Sequence, residues 1–343
     1  VPPRINPPNR RLRPILAVLA ITLVSGCSSN PVDAPPPTIA PAQAAVSPPV
    51  TARPDGEMRP LAAPAQAALV DPATGALVVL EGDDGSRVSV FGRDGDPRTV
   101  PLPGPASALV GDGDGWVFAS TRGGYHRIDV AAGTVDTVVL DGRGDTDFTA
   151  IARRADGRLV LGTADGAVLT LGGDNAVDAE LKIFARVDAL VTQGDTAVVL
   201  DRAQTSVTAL SEDGDNAAQA LRAGEGATTM AADSMSRVLV ADTRGQGLLV
   251  YTVDPLILRQ QYPVRDAPYG LTGSATLVWV SQTASNTVVG YDLATGIPVE
   301  KVRYRTVQQP NSLAFDESSG TLYVVSGSGA GVQVIADAAK GGR

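Results

Sequence analysis

The chain has 343 residues with only 4% aromatics, 37 glycines and 25 prolines, a density of helix breakers that excludes a helical protein and suits short strands joined by tight turns. Its formal net charge is −9, and just three of the 28 basic residues are lysines (Lys182, Lys301 and Lys340). An acidic surface repels phosphate backbones, which excludes nucleic acid as an expected partner. Arginine in place of lysine, with abundant alanine and glycine, is the usage of a GC-rich genome and points to an actinobacterial source.

The first residues read as an address. Arg4, Arg10, Arg11 and Arg13 precede the ten-residue apolar run Ile15–Val24, which Ser25-Gly26-Cys27 closes. Ten residues are too few to cross a bilayer as a helix but fit the apolar region of a signal peptide. Val24-Ser25-Gly26-Cys27 resembles the lipobox of bacterial lipoproteins, in which the peptide is cut between the small residue and the cysteine, here Gly26 and Cys27. The resemblance implies that Cys27 is acylated (diacylglycerol and palmitate) and holds the protein on the extracytoplasmic face of the cell membrane. Cys27 is the only cysteine of the chain, so no intrachain disulfide competes for its thiol. Removal of residues 1–26 leaves 24 basic against 37 acidic residues, a net of −13. Residues 27–56 then form an expected tether, with eight prolines in the 29 positions 28–56. Proline, alanine and serine offer too little apolar surface to offset the entropy of folding, so this stretch is expected without regular structure and with a reach of at most ~90 Å.

From residue 57 the chain repeats. Leu69, Leu109, Ile151, Leu190, Met230, Leu271 and Leu313 are equivalent anchors, spaced 40, 42, 39, 40, 41 and 42 residues apart. Each copy holds four short β-type runs, and seven such copies predict an all-β, seven-bladed β-propeller over residues 57–343. The second run of each copy is continuously apolar, as in Leu77–Leu80, Val238–Ala241 and Leu322–Val325, which marks strands buried on both faces. Small residues sit beside the anchors (Ala68, Ala108, Ala150, Ala189, Thr229, Gly270 and Ser312), where strands crowd towards the axis. Asp-Gly pairs such as 156–157 and 165–166 supply the positive φ of tight hairpins. The last copy lacks a fourth strand, whereas Glu57–Leu61 stands where a fourth strand would precede the first anchor. Met58–Leu61 is therefore predicted to pair with Gly331–Ile335 and close the ring.

The runs Asn286–Gly296 and Thr321–Val325, with Leu313-Ala314-Phe315-Asp316 between them, resemble the YVTN-type repeat of YncE-like propellers, a WD40-like architecture. The match is good over the sixth and seventh copies and partial at Asp71–Gly75 and Ile128–Gly133. With the lipobox, the chain is similar to propeller lipoproteins of mycobacteria and their relatives. The resemblance implies an extracytoplasmic binding or scaffolding protein of the cell envelope, with a protein or envelope component as partner. The motifs are structural, and no catalytic residue carries over from them.

The sequence carries few residues suited to catalysis. The one histidine, His126, falls in a third strand without convergent partners. No G-x-S-x-G elbow is present, and Gly327-Ser328-Gly329 reads as a hairpin. Asp83-Asp84, 94–96, Asp112–Asp114 and Asp213–Asp215 are acidic turns; a calcium loop starting at Asp112 would need oxygen ligands where Trp116 and Gly123 stand. No metal and no cofactor are expected. A ligand site belongs at the mouth of the central channel, ringed by the starts of the inner strands, with Tyr269, Asn311, Arg186 and Asp188 as the candidate ligand-binding residues. Non-enzymatic binding is the preferred expectation. The alternative is a lactonase- or lyase-like propeller enzyme acting on a small molecule at the same mouth.

Overall fold

The computed structural model of the chain describes residues 37–93 and 96–341, with Val1 and Pro3. The expected leader and lipobox, including Gly26 and Cys27, lie outside the described residues. Residues 36–343 form one compact unit, and no helix among the described residues is long and apolar enough to cross a membrane.

Seven four-stranded antiparallel sheets make up that unit, so the protein is a seven-bladed β-propeller. Blades one to six each use four consecutive strands, from Ala65–Asp71 through Arg98–Pro101 in the first to Pro268–Gly273 through Val299–Arg305 in the sixth. Packing follows the sequence pattern. Second strands such as Ala76–Glu81 and Thr321–Ser326 are buried along their whole length and the others over most of it, since a neighbouring blade covers each face. The outer strands are half-exposed, as in the strict alternation of Val177–Lys182.

Blade seven is completed by the N-terminal side of the chain. Its strands Pro310–Asp316, Thr321–Ser326 and Val332–Ile335 are joined by Glu57–Arg59, with Glu57, Met58 and Arg59 opposite Val334, Gln333 and Val332. The expected closure is present, beginning one residue and ending two residues earlier than predicted. Pro60 follows Arg59 and has no N–H to give, so the ladder stops there and Leu61 packs against the core without pairing. Arg59 fastens the closing strand to blade one by donating to the carbonyls of Gly92 at 2.9 Å and Arg93 at 3.0 Å.

The crowding near the axis is measurable at Gly270. A Cβ there would lie 2.9 Å from the Asn311 carbonyl oxygen of the next blade and 2.9 Å from Ser281 Oγ. At the hairpins, Gly166 has a φ of 86° and its Cα faces the Phe184 carbonyl so closely that no side chain fits.

Candidate functional site

The seven anchors meet on the axis. Leu69, Leu109, Ile151, Leu190, Met230, Leu271 and Leu313 all line one cavity of about 450 Å³, an aliphatic collar inside the channel. Above it opens a mouth of about 310 Å³ lined by polar groups.

A backbone device puts those groups there. In six of the seven blades the register of the inner strand slips at its start, between Ala65 and Ala67, Ala106 and Leu109, Phe148 and Ala150, Ala227 and Thr229, Pro268 and Leu271, and Pro310 and Ser312. A residue skipped by the ladder is re-aimed; the skipped residues include Gln66, Ser107, Thr228, Tyr269 and Asn311, all of which line the mouth. Blade four has no slip and presents Asp188 from the residue before its inner strand.

Of the four candidate residues, Asp188, Tyr269 and Asn311 line the same mouth, while Arg186 stands beside it, half-exposed, with Nε 3.3 Å from Asp188 Oδ1. The other oxygen of Asp188 accepts the Arg202 backbone N–H at 2.8 Å. Burial raises the Asp188 pKa, outweighing that N–H and the charges of Arg202 and Arg186. Burial likewise raises the Tyr269 phenol, with the Arg202 charge pulling it partly back. Asn311 Oδ1 accepts from Gln309 Nε2 at 2.9 Å.

Among the polar mouth residues, sequence reasoning missed Gln66 and Arg202. Arg202 follows Asp201, which ends the second strand of blade four. In several blades the side chain ending the second strand clamps the segment that leads into that blade. Glu81 accepts the N–H groups of Ala62 and Ala63 at 3.1 and 3.0 Å, Asp201 those of Ala185 and Arg186 at 2.7 and 3.3 Å, and Asp242 those of Glu225 and Gly226 at 2.9 and 2.8 Å. Gln282 and Ser326 do the converse in blades six and seven, donating to the carbonyls of Arg265 at 2.9 Å and Gln308 at 2.6 Å. A polar residue closing an apolar run in copy after copy was the available signal.

The second feature not foreseen is the course of residues 37–56. They carry neither helix nor strand, as their composition suggested, but they do not hang free. The Ile39 N–H donates to the Ala203 carbonyl at 2.8 Å, Arg244 Nη2 to Ala40 at 2.7 Å, Arg202 to the Ala42 carbonyl, and Gln309 Nε2 to Ala45 at 2.9 Å. Ser47 gives its hydroxyl to the Thr283 carbonyl at 2.6 Å and its N–H to Gln309 Oε1 at 3.0 Å; Asn286 Nδ2 donates to Pro48 at 2.7 Å. This strap follows the rim of the mouth over blades four to seven. It then reaches Asp55, whose carboxylate takes the Arg305 backbone N–H at 2.7 Å and its guanidinium at 2.9 Å.

The remaining candidates are structural. His126 is 2% exposed in the third strand of blade two. Its Nε2 faces the Gly104 carbonyl at 3.1 Å and its Nδ1 the Thr137 hydroxyl at 2.8 Å. A carbonyl only accepts, so Nε2 carries the proton and Nδ1 accepts from Thr137. Burial lowers the His126 pKa, with the Gly104 contact opposing it. In the acidic turns, Asp112 Oδ1 takes the backbone N–H groups of Asp114 and Trp116 at 2.8 and 3.0 Å, and Asp215 Oδ1 takes the Ser211 hydroxyl and Asn216 amide at 3.0 Å each. Asp94 and Gly95 lie outside the described residues. Among those described, no group of three or more His, Cys, Asp or Glu side chains is placed to hold a metal ion. A larger hollow of about 720 Å³ lies at the periphery between blades six and seven, away from the channel. Its charged side chains are already engaged, Asp55 with Arg305 and Arg303 with Glu300.

No family model matches the chain, and comparison with curated proteins finds no match. Solved structures share the fold. A streptogramin B lyase aligns with a TM-score of 0.67 at 10% identity, over 83% of this chain and 97% of that one. Virginiamycin B lyase from Staphylococcus aureus aligns with a TM-score of 0.68 at 14% identity, over 82% and 99%. A chain of the mitotic checkpoint complex aligns at 0.69 with 10% identity, over 86% and 98%. At such identities the likeness is one of fold alone.

Proposed function

We propose that the protein is a lipid-anchored, extracytoplasmic lipoprotein whose propeller works as a non-enzymatic binding module of the cell envelope. Residues 1–26 serve as signal peptide and Cys27 as the acylated N-terminus, and the chain is akin to the YncE-like propeller lipoproteins of actinobacteria. The binding half of this reading is carried by the composition of the mouth. One carboxylate, Asp188, lines it, already held by Arg186 and the Arg202 N–H, and the only histidine of the sequence is sealed inside blade two. The other titratable side chain of the mouth is the Tyr269 phenol, which burial holds in its protonated form. The mouth offers instead hydroxyl, amide and guanidinium groups suited to holding a ligand.

The anchor is tested by metabolic labelling with a palmitate analogue. The wild type is expected to take up label and to fractionate with membranes, and Cys27→Ser to do neither. Label retained by Cys27→Ser would remove the lipoprotein reading. Crosslinking in intact cells, followed by identification of the captured species, tests the envelope partner.

The second reading, a lyase, is favoured by the two lyases among the structural neighbours. A catalytically inactive histidine-to-alanine variant of the S. aureus enzyme has been solved with quinupristin, at a TM-score of 0.67 and 13% identity. The burial of His126 argues against an equivalent here. Incubation with virginiamycin B, followed by chromatography, decides the matter: the compound is expected to persist unchanged, and its conversion would revive the enzyme.

A further inference from the structure

The strap over residues 39–48 shows what the rim of the mouth recognises. Its carbonyls at Ala40, Ala42, Ala45 and Pro48 are taken by side-chain donors from the rim, namely Arg244, Arg202, Gln309 and Asn286. These donors come from hairpins and connectors of blades four to seven, and they read main-chain atoms.

Side-chain selection is confined to two small sites. Ala42 is 6% exposed, and a Cβ added to Gly226 would already come within 3.0 Å of the Ala42 Cβ. Ser47 is 4% exposed and spends its hydroxyl on the Thr283 carbonyl. Val46, between them, is 91% exposed. Proline and alanine suit an extended occupant, because the polyproline conformation is largely preformed and little entropy is lost on docking.

We infer that this rim is a recognition groove for extended, proline- and alanine-rich polypeptide with small residues at two positions five apart, and that residues 39–48 are its resident occupant. The partner is a protein segment of that chemistry. This deepens the binding half of the proposed function and is independent of acylation. A tethered occupant acts at an effective concentration on the order of millimolar, so a partner segment enters only when the strap is lifted.

The test uses the full chain with Ala42→Trp, too large for the Gly226 contact, and a fluorescein-labelled peptide of residues 37–50 read by anisotropy. The variant is expected to bind the peptide saturably and at least about tenfold more tightly than the wild type, whose groove is filled. Adding Gln309→Ala and Asn286→Ala is expected to weaken binding about tenfold or more at an unchanged far-UV spectrum. A folded Ala42→Trp protein that ignores the peptide, or binds it equally well without Gln309 and Asn286, overturns the inference. Should Ala42→Trp not fold, amide exchange on the wild type decides: protection of the Ile39 and Ser47 amides is expected, and free exchange at both overturns the groove. The assay runs on non-acylated protein, so its failure leaves the anchor untouched, and failure of labelling at Cys27 leaves the groove untouched.

Discussion

Replacing Gln333 with leucine probes how the ring is held shut. Gln333 is fully buried in the third strand of blade seven, opposite Met58 of the closing strand. Its Oε1 accepts the Val307 N–H at 3.0 Å, and its Nε2 donates to the carbonyls of Asp55 at 2.6 Å and Arg305 at 2.8 Å. One side chain thus joins the N-terminal segment, the outer strand of blade six and the connector into blade seven. Leucine has nearly the same volume, so the change creates little cavity. It leaves the Val307 N–H and the Asp55 carbonyl without these partners, whereas the Arg305 carbonyl keeps the Asp55 N–H at 3.1 Å. An orphaned buried group costs about 1–3 kcal/mol, so Gln333→Leu is expected to cost about 3 kcal/mol. For a domain of this size that lowers the melting temperature by roughly 6–12 °C. The assay is a thermal melt beside urea denaturation, with Gln261→Leu on the exposed outer strand of blade five as control, expected within about 0.5 kcal/mol of wild type. A Gln333→Leu protein melting within about 2 °C of wild type would refute the reasoning.

His126→Ala should lose about 2 kcal/mol through the space left by a side chain only 2% exposed, without changing what the channel mouth binds; a binding defect at unchanged stability would show instead a functional histidine. Gly290→Ala places a Cβ 2.8 Å from Val302 Cγ2 and 2.9 Å from Trp279 Cζ3, so about 1–3 kcal/mol of overpacking is expected in a urea titration, and an unchanged midpoint would contradict it. The Arg305 hydrogen bond holds the Asp55 carboxyl below its ordinary range, with burial opposing. Its contribution is therefore present above the unfolded carboxylate pKa and lost as pH falls through the lower folded value. Asp55→Asn should accordingly be less stable than wild type above about pH 4 and converge with it on further acidification; a gap that widens in acid would reverse the sign.

Much of the fold was legible because the repeat is written in apolar residues. Leu69 and its six counterparts face one axis, and a second strand such as Leu77–Leu80 has no solvent side on which to place a polar group. The closing strand was legible too, and its end misjudged only because Pro60 limits hydrogen bonding where hydrophobicity continues to Leu61. The site was less visible. Arg202 reaches the mouth from a hairpin of blade four, and its neighbours there arrive from the inner strands of other blades, so only the three-dimensional register brings them together. The strap escaped notice for a different reason. Proline and alanine announce that a segment has no core of its own, but its main-chain carbonyls are the groups that bind, and these are the same in every sequence.

Glu57–Arg59 precedes every other described strand in the chain and yet belongs to the sheet completed by Val332–Ile335. A ribosome or translocation pore releasing this polypeptide in order delivers one half of that seam hundreds of residues before the other. Until then the nascent disc has six complete sectors and a gap, with the edges flanking it open to a stranger's strand. Maturation of this protein is thus a matter of waiting: its first strand must stay unengaged until its last has emerged.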